Sequence, residues 1–358
     1  MDPKNYYLLV YSVFFAGTFL FSFLINGLFL KFAGTLGIRD TNETVIRWSS
    51  QSKPSIGGIS FYIVFLLSIV AHFIIFEPEK EFNLQFLGII SSVTLAFLIG
   101  LADDAYNTQP FLKFTGQLIC GFILIFTGTV INIFDSEIFN ILLTVFWIVA
   151  IMNSINMLDN MDGITTIVAI FILFAALIIM FFHQDISNIY FMIILGLISA
   201  LIGFLFYNWN PSKIYMGDTG SQFLGCILGI VGILYFWNYN ELNLKATGSE
   251  KIILVALAFL IPISDTTTVV INRLLKKQSP FIGGKDHTTH HVSYLGYTDK
   301  KVARIFLTLS AISLFFVFVI INFIKNWDYF YFTLFSTYII LIFAVLYIIT
   351  KVTKKEEI

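Results

Sequence analysis

Long apolar runs separated by short polar stretches set the pattern of this chain. Runs of the length a helix needs to cross a hydrocarbon core begin near Tyr6, Gly57, Gln85, Phe114, Ile138, Ile164, Asn188, Ser221, Ile252, Ala303 and Tyr329. They predict an all-α integral membrane protein, a polytopic bundle of about eleven transmembrane helices. Tyr or Trp recur at the run ends, as at Tyr207, Trp209, Trp237, Trp327 and Tyr329, where aromatic rings favour the membrane interface. The longest polar stretches, Lys31 to Ser55 and Asn272 to Lys301, are too short to bury a core of their own. Residues 1–358 are therefore read as a single polytopic domain. The first run, Tyr6 to Phe32, is far longer than a signal-peptide core and is read as the first span.

Composition agrees: 58% of the residues are hydrophobic and 12% charged, against roughly 25% charged in soluble domains. A net charge of -1 without a long basic run argues against nucleic acid as a partner. Cys120 and Cys226 both fall in apolar runs and read as packing residues rather than as a disulfide or a metal site. Sixteen of the 21 basic residues lie in one alternate set of loops (31–56, 103–113, 153–163, 208–218, 272–304 and the C-terminal tail). The other set holds Lys4, Lys80, Lys245, Lys251 and Lys325. The positive-inside rule makes the first set cytoplasmic, with the N-terminus outside and the C-terminus in the cytoplasm.

The chemically interesting residues gather on that same side. Asn153, Asn156, Asp159 and Asp162 repeat at three-residue spacing between two apolar runs, forming one polar stripe on a helix end or tight turn. A plain hydrophilic turn would draw on Gly, Pro, Ser and Lys instead, and carboxylates beside hydrocarbon are costly enough to mark a functional site. Asp103 and Asp104 end the third run. Adjacent carboxylates repel, and a divalent cation with oxygen ligands, Mg²⁺ shared with substrate phosphates, relieves that repulsion. Asp218 lies between Gly217 and Gly220 at the start of the eighth run, where backbone N–H groups favour an anion. Its negative charge makes it a metal-ligand candidate, with an ordinary helix cap as the alternative. Three of the five histidines, His287, His290 and His291, cluster within the polar segment Ser279 to His291. Such imidazoles can contact phosphate, act as acid or base, or bind metal. With no cysteine nearby, phosphate or nucleotide contact is favoured over zinc.

These elements resemble the polyprenyl-phosphate N-acetylhexosamine-1-phosphate transferases, the glycosyltransferase family 4 type related to phospho-N-acetylmuramoyl-pentapeptide transferase. The resemblance is carried by Lys53-Pro54-Ser55-Ile56-Gly57-Gly58, Asp103-Asp104 with Asn107, Lys113 before Gln117, the stripe from Asn153 to Gly163, and Asn208, Pro211 and Lys213 leading into Met216 to Ser221. Two departures stand out: Asn160 where the family has Gly, and Thr288-Thr289-His290-His291 where it has His-x-His-His, the first histidine being displaced to His287. The pattern from Asp286 to His291 is closer to the branch that handles simple UDP-N-acetylhexosamines.

The resemblance implies transfer of N-acetylhexosamine-1-phosphate, with GlcNAc-1-phosphate first among the sugars, from a UDP-sugar to polyprenyl (undecaprenyl) phosphate at the cytoplasmic face of the cell membrane. UMP is released, and the step opens a cell-envelope polysaccharide pathway. It implies Mg²⁺, with Mn²⁺ as substitute, held by Asp103, Asp104 and Asp218, and catalytic roles for these three with His290 and His291. Substrate contacts fall to Lys53, Asn107, Lys113, Asn153, Asn156, Asp159, Asp162, Asn208, Lys213 and His287. A homodimer is a further expectation. Phospho-N-acetylmuramoyl-pentapeptide transfer is the nearer alternative. A secondary transporter of an anionic metabolite is the more distant one, and it would need inverted repeats with broken helices that the sequence does not display.

Overall fold

The structure, a computed structural model, describes residues 3–32, 53–76, 83–183, 186–239, 246–280 and 283–353. Arg39, Arg47, Lys80, Lys245, Lys354 and Lys355 of the charge count lie outside the described residues, as do Phe281 and Ile282 of the histidine segment. The apolar runs become helices: α1 (Pro3–Phe32), α2 (Gly57–Ile75), α3 (Leu84–Tyr106), α4 (Pro110–Phe126), α5 (Glu137–Leu158), α6 (Ile164–Phe182) and α7 (Ile189–Asn208). There follow α8 (Gly217–Val231, continued by a π-helical turn, Gly232–Trp237), α9 (Gly248–Ala258), α10 (Leu260–Leu275), α11 (Thr288–Tyr294), α12 (Asp299–Phe323) and α13 (Tyr329–Val352).

The expected all-α membrane bundle is what the chain forms. Among the described residues nine helices are long and apolar enough to cross a membrane, or ten if the pair α9 and α10, bent by 80°, is one span. The expectation of about eleven also counts α4, a shorter helix of 17 residues. The bend has a covalent cause. Pro262 has no N–H to offer the carbonyl of Ala258, where α9 ends.

Helix ends follow local chemistry. Asn107 stops α3 in the left-handed conformation (φ 51°), and Pro110 opens α4 at a position where a missing N–H costs nothing. Asp328 caps α13 by accepting from the N–H groups of Phe330 and Tyr331 at 2.9 and 3.1 Å.

Helix α8 is the axis of the bundle. In its most apolar window 94% of the residues are buried, and α2, α3, α5 and α6 pack around it. Its start is tied to the start of α2: Tyr215 N–H donates to Pro54 O at 2.9 Å, Gly57 N–H to Tyr215 O at 3.1 Å, and Gly58 N–H to Met216 O at 3.0 Å. A Cβ on Gly58 would lie 2.2 Å from the Gly220 nitrogen, so only glycine permits that approach. The paired-glycine loop and the glycine-flanked aspartate thus meet.

Candidate active site

Helices α3, α4, α5 and α8 converge at the N-terminus of α8, and each delivers a polar side chain there. Lys113 on α4 donates from Nζ to Asp103 Oδ2 at 2.9 Å and to Asp218 Oδ1 at 3.1 Å, so one ammonium joins the end of α3 to the start of α8. Asn156 on α5 donates to Asp218 Oδ1 and, at 2.8 Å, to Ser221 Oγ. Thr108 donates to Asp103 Oδ1 at 2.5 Å.

The adjacent carboxylates Asp103 and Asp104 point to different partners, as neighbours on a helix must. Asp104 accepts from Asp218 N–H (3.1 Å), Thr219 N–H (2.8 Å) and Thr219 Oγ1 (2.7 Å). It therefore caps α8 from another helix, using the charge that a helix N-terminus favours. This replaces the alternative that Asp218 is an ordinary cap, since residue Met216 precedes α8 without a side-chain cap. Among the described residues no three acidic or histidine side chains form a ready-made metal cluster. The expected trio of Asp103, Asp104 and Asp218 is instead arranged around Lys113 and the α8 backbone.

The Asn/Asp stripe divides its work. Asn153 pairs with Gln117, donating to its Oε1 at 2.7 Å. Asp162 accepts from Ser212 N–H (2.9 Å), Ser212 Oγ (2.7 Å) and Asn210 Nδ2 (3.1 Å), which ties the turn after α5 to the segment before α8. Lys53 joins this knot, donating to Ser212 Oγ at 3.0 Å with its ammonium 3.9 Å from Asp162. Gly163 closes the turn at φ 77°, a conformation open to glycine. Asp159, just beyond α5, is different. Burial and the neighbouring carboxylates of Asp218, Asp104 and Asp162 push its pKa up to about 8.

Asn208 is buried, accepting from Thr166 Oγ1 at 2.8 Å and donating to Ile214 O at 3.1 Å, a brace for the end of α7. Asn107 and Lys213 are exposed. Asn107 serves the left-handed end of α3, and Lys213 donates its backbone N–H to Tyr207 O at 2.7 Å. The structure does not bring either side chain into the hydrogen-bonded assembly around Asp218.

The three histidines are buried at a short helix, α11, with His287 as the residue just before it. Asp265 of α10, fully buried, accepts from Thr288 N–H (2.8 Å) and Thr288 Oγ1 (2.6 Å) and pairs with His287 Nδ1 at 2.8 Å. Two turns further along α10, Arg273 grips Asp286 in a bidentate pair at 2.8 and 2.7 Å and donates to Pro280 O at 2.7 Å. Burial works against ionisation of Asp286, but Arg273 holds its carboxyl below the ordinary range. Burial and then the charge of His287 depress His290 to about 3, and burial first of all lowers His291 as well. Both are neutral imidazoles at pH 7. His291 Nδ1 meets Thr353 Oγ1 at 2.6 Å, at the end of α13.

Thr289 Oγ1 donates to Asn160 Oδ1 at 2.6 Å, linking α11 to the acidic turn. Asn160, where this chain departs from the family pattern, is thus in contact with the histidine helix. The motifs taken separately leave out Arg273, Ser212, Thr219 and Gln222 as parts of this assembly. Gln222 carries a usable signal, being a polar residue inside an apolar run one turn from Asp218.

The sequence model described as glycosyl transferase family 4 matches residues 86–236, a span running from α3 into the π-helical end of α8. A probable undecaprenyl-phosphate N-acetylglucosaminyl 1-phosphate transferase of Bacillus subtilis is 29% identical over 296 residues, 76% of this chain and 78% of that protein. The phospho-N-acetylmuramoyl-pentapeptide-transferase of Staphylococcus haemolyticus is 32% identical over 285 residues, 73% of this chain and 82% of the relative. That of Streptococcus agalactiae is 34% identical over 227 residues, 57% and 67% of the two chains. With such identity along most of its length and the family match across its central helices, this chain belongs to glycosyl transferase family 4 and is a membrane phosphotransferase.

Proposed function

We propose that the protein transfers an N-acetylhexosamine-1-phosphate, GlcNAc-1-phosphate foremost, from its UDP-sugar to undecaprenyl phosphate at the cytoplasmic face of the membrane. The observation that carries this reading is Lys113 held between Asp103 and Asp218 where four helices converge. An ammonium there can orient an anionic phosphate, and the Asn156 amide beside it can donate to an oxygen. A lipid phosphate oxygen attacks the β-phosphorus of the UDP-sugar, the bond to the bridging oxygen of UMP breaks, and the lipid keeps the sugar on a diphosphate. Direct attack is favoured over an aspartyl-phosphate, because Asp103 and Asp104 both spend their oxygens on fixed partners.

Mg²⁺ suits the donor set: Asp103 and Asp218 offer hard carboxylate oxygens beside Lys113. Asp103 and Asp218, the pair that flanks Lys113, would hold the ion, with Asp104 already committed to α8. When bound, Mg²⁺ supplies charge neutralisation for a diphosphate. Neutral His290 and His291 would contribute hydrogen bonds rather than positive charge.

A second donor is favoured by the relatives that are phospho-N-acetylmuramoyl-pentapeptide-transferases at 32 and 34% identity. Both readings are tested by incubating the purified full chain with undecaprenyl phosphate, Mg²⁺ and, separately, labelled UDP-N-acetylglucosamine, UDP-N-acetylgalactosamine or UDP-N-acetylmuramoyl-pentapeptide. Labelled lipid from a UDP-N-acetylhexosamine supports the proposal. Product from the pentapeptide donor alone moves the protein to the second reading.

A further inference from the structure

We infer that the side-chain amides of Gln117, Asn153 and Gln222 are positioning residues, holding α4, α5 and α8 in the rotation that brings Lys113, Asn156 and Asp218 together. The inference rests on reading that trio as part of the transferase site. Each amide lies one helical turn from its site residue on the same helix: Gln117 from Lys113, Asn153 from Asn156, Gln222 from Asp218. Side chains three or four apart share a helix face, so the amides form a second layer beneath the first.

That layer is closed on itself. Gln117 Nε2 donates to Gln222 Oε1 at 3.0 Å, and Asn153 Nδ2 donates to Gln117 Oε1 at 2.7 Å and to Val149 O at 2.8 Å. Gln117 and Gln222 are both 0% exposed. One turn deeper, a Cβ on Gly225 would lie 2.6 Å from Met152 Cα, so α8 and α5 touch backbone to backbone and the amides are within reach of one another. Gln222 Nε2 has no hydrogen-bond partner. An apolar side chain of the same size would avoid that unmet donor, so stability alone is a poor reason for an amide at this depth. Apolar contacts leave a helix free to rotate by small angles, whereas a directional bond between α4 and α8 does not. Rotation of either helix would part Lys113 from Asp103 or Asp218.

The test is steady-state kinetics of the purified full chain with UDP-N-acetylglucosamine and undecaprenyl phosphate varied separately, alongside thermal melts. Gln117→Met should lower kcat roughly 10- to 100-fold, the scale of a misplacement of about 1 Å, with both KM values and the melting temperature little changed. Gln222→Met, which leaves the Gln117 to Asn153 pair in place, should fall in the same direction by less. Should Gln117→Met fail to fold, Gln222→Met decides. A kcat within about twofold of wild type, a loss confined to KM, or failure of both variants to fold overturns the positioning role. Asp218→Asn in the same assay separates the two levels: wild-type turnover there sinks the site itself, whereas an inactive Asp218→Asn beside fully active glutamine variants sinks only this inference.

Discussion

Lys113 and Asp104 illustrate how single residues acquire roles that neighbours in the sequence do not share. Lys113 neutralises carboxylates from two helices, while Asp104, adjacent to one of them, spends its charge on the backbone of α8. Substitutions should separate the two roles. Asp218→Asn and Asp103→Asn are expected to reduce turnover by at least about a hundredfold, as when a preorganised electrostatic contribution is lost, with modest change in melting temperature. Asp104→Ala should lower the melting temperature by removing a helix cap, a loss of roughly 0.5–2 kcal/mol. Activity assays and thermal melts on the same preparations check both. An Asp104→Ala protein as stable as wild type would contradict the capping role.

At the scale of elements, α11 owes its place to α10 more than to its own sequence. Seven residues make too short a helix to stand alone; Asp265 fixes its first turn and Arg273 fixes the residue that precedes His287. His287, displaced relative to the family pattern, is consequently not an idle neighbour of His290 and His291. Asp265→Ala and His287→Ala should each increase hydrogen exchange across 285–294, and the double variant should add little to either single one. Residues in direct contact behave so, with coupling of about 0.5–3 kcal/mol. Fully additive effects would show that the Asp265 to His287 pair does not secure the helix.

For the whole molecule, the placement of its polar groups bears on which way it sits in the membrane. The bundle places the acidic turn, the start of α8 and α11 in one connected assembly, which requires all of them to share a side. The charge asymmetry predicts that this side is cytoplasmic. Ser279 is exposed, and the native Cys120 and Cys226 are wholly buried. A Ser279→Cys protein should therefore resist membrane-impermeant thiol reagents in intact cells and react after permeabilisation. Ready labelling in intact cells would invert the topology and remove the cytosolic donor.

Much of this protein is written in local terms. Apolar runs near twenty residues long specify membrane helices because hydrocarbon offers no partner to an unpaired backbone group, and Asn107, Pro110 and Gly163 mark helix ends through their own backbone preferences. The motifs at Asp103, Asn153 and Asp218 were legible because carboxylates and amides are conspicuous among apolar neighbours. What each one touches was not. Whether Asp103 or Asp104 meets Lys113, and whether Asp162 faces solvent or binds the Ser212 backbone, depends on the rotation and approach of helices far apart in sequence. Those relations come from packing around α8, where Gly58 lets α2 draw close and Gly225 does the same for α5. Hydrophobic periodicity carries no information about which helix will lie opposite, so only the assembled bundle could decide it.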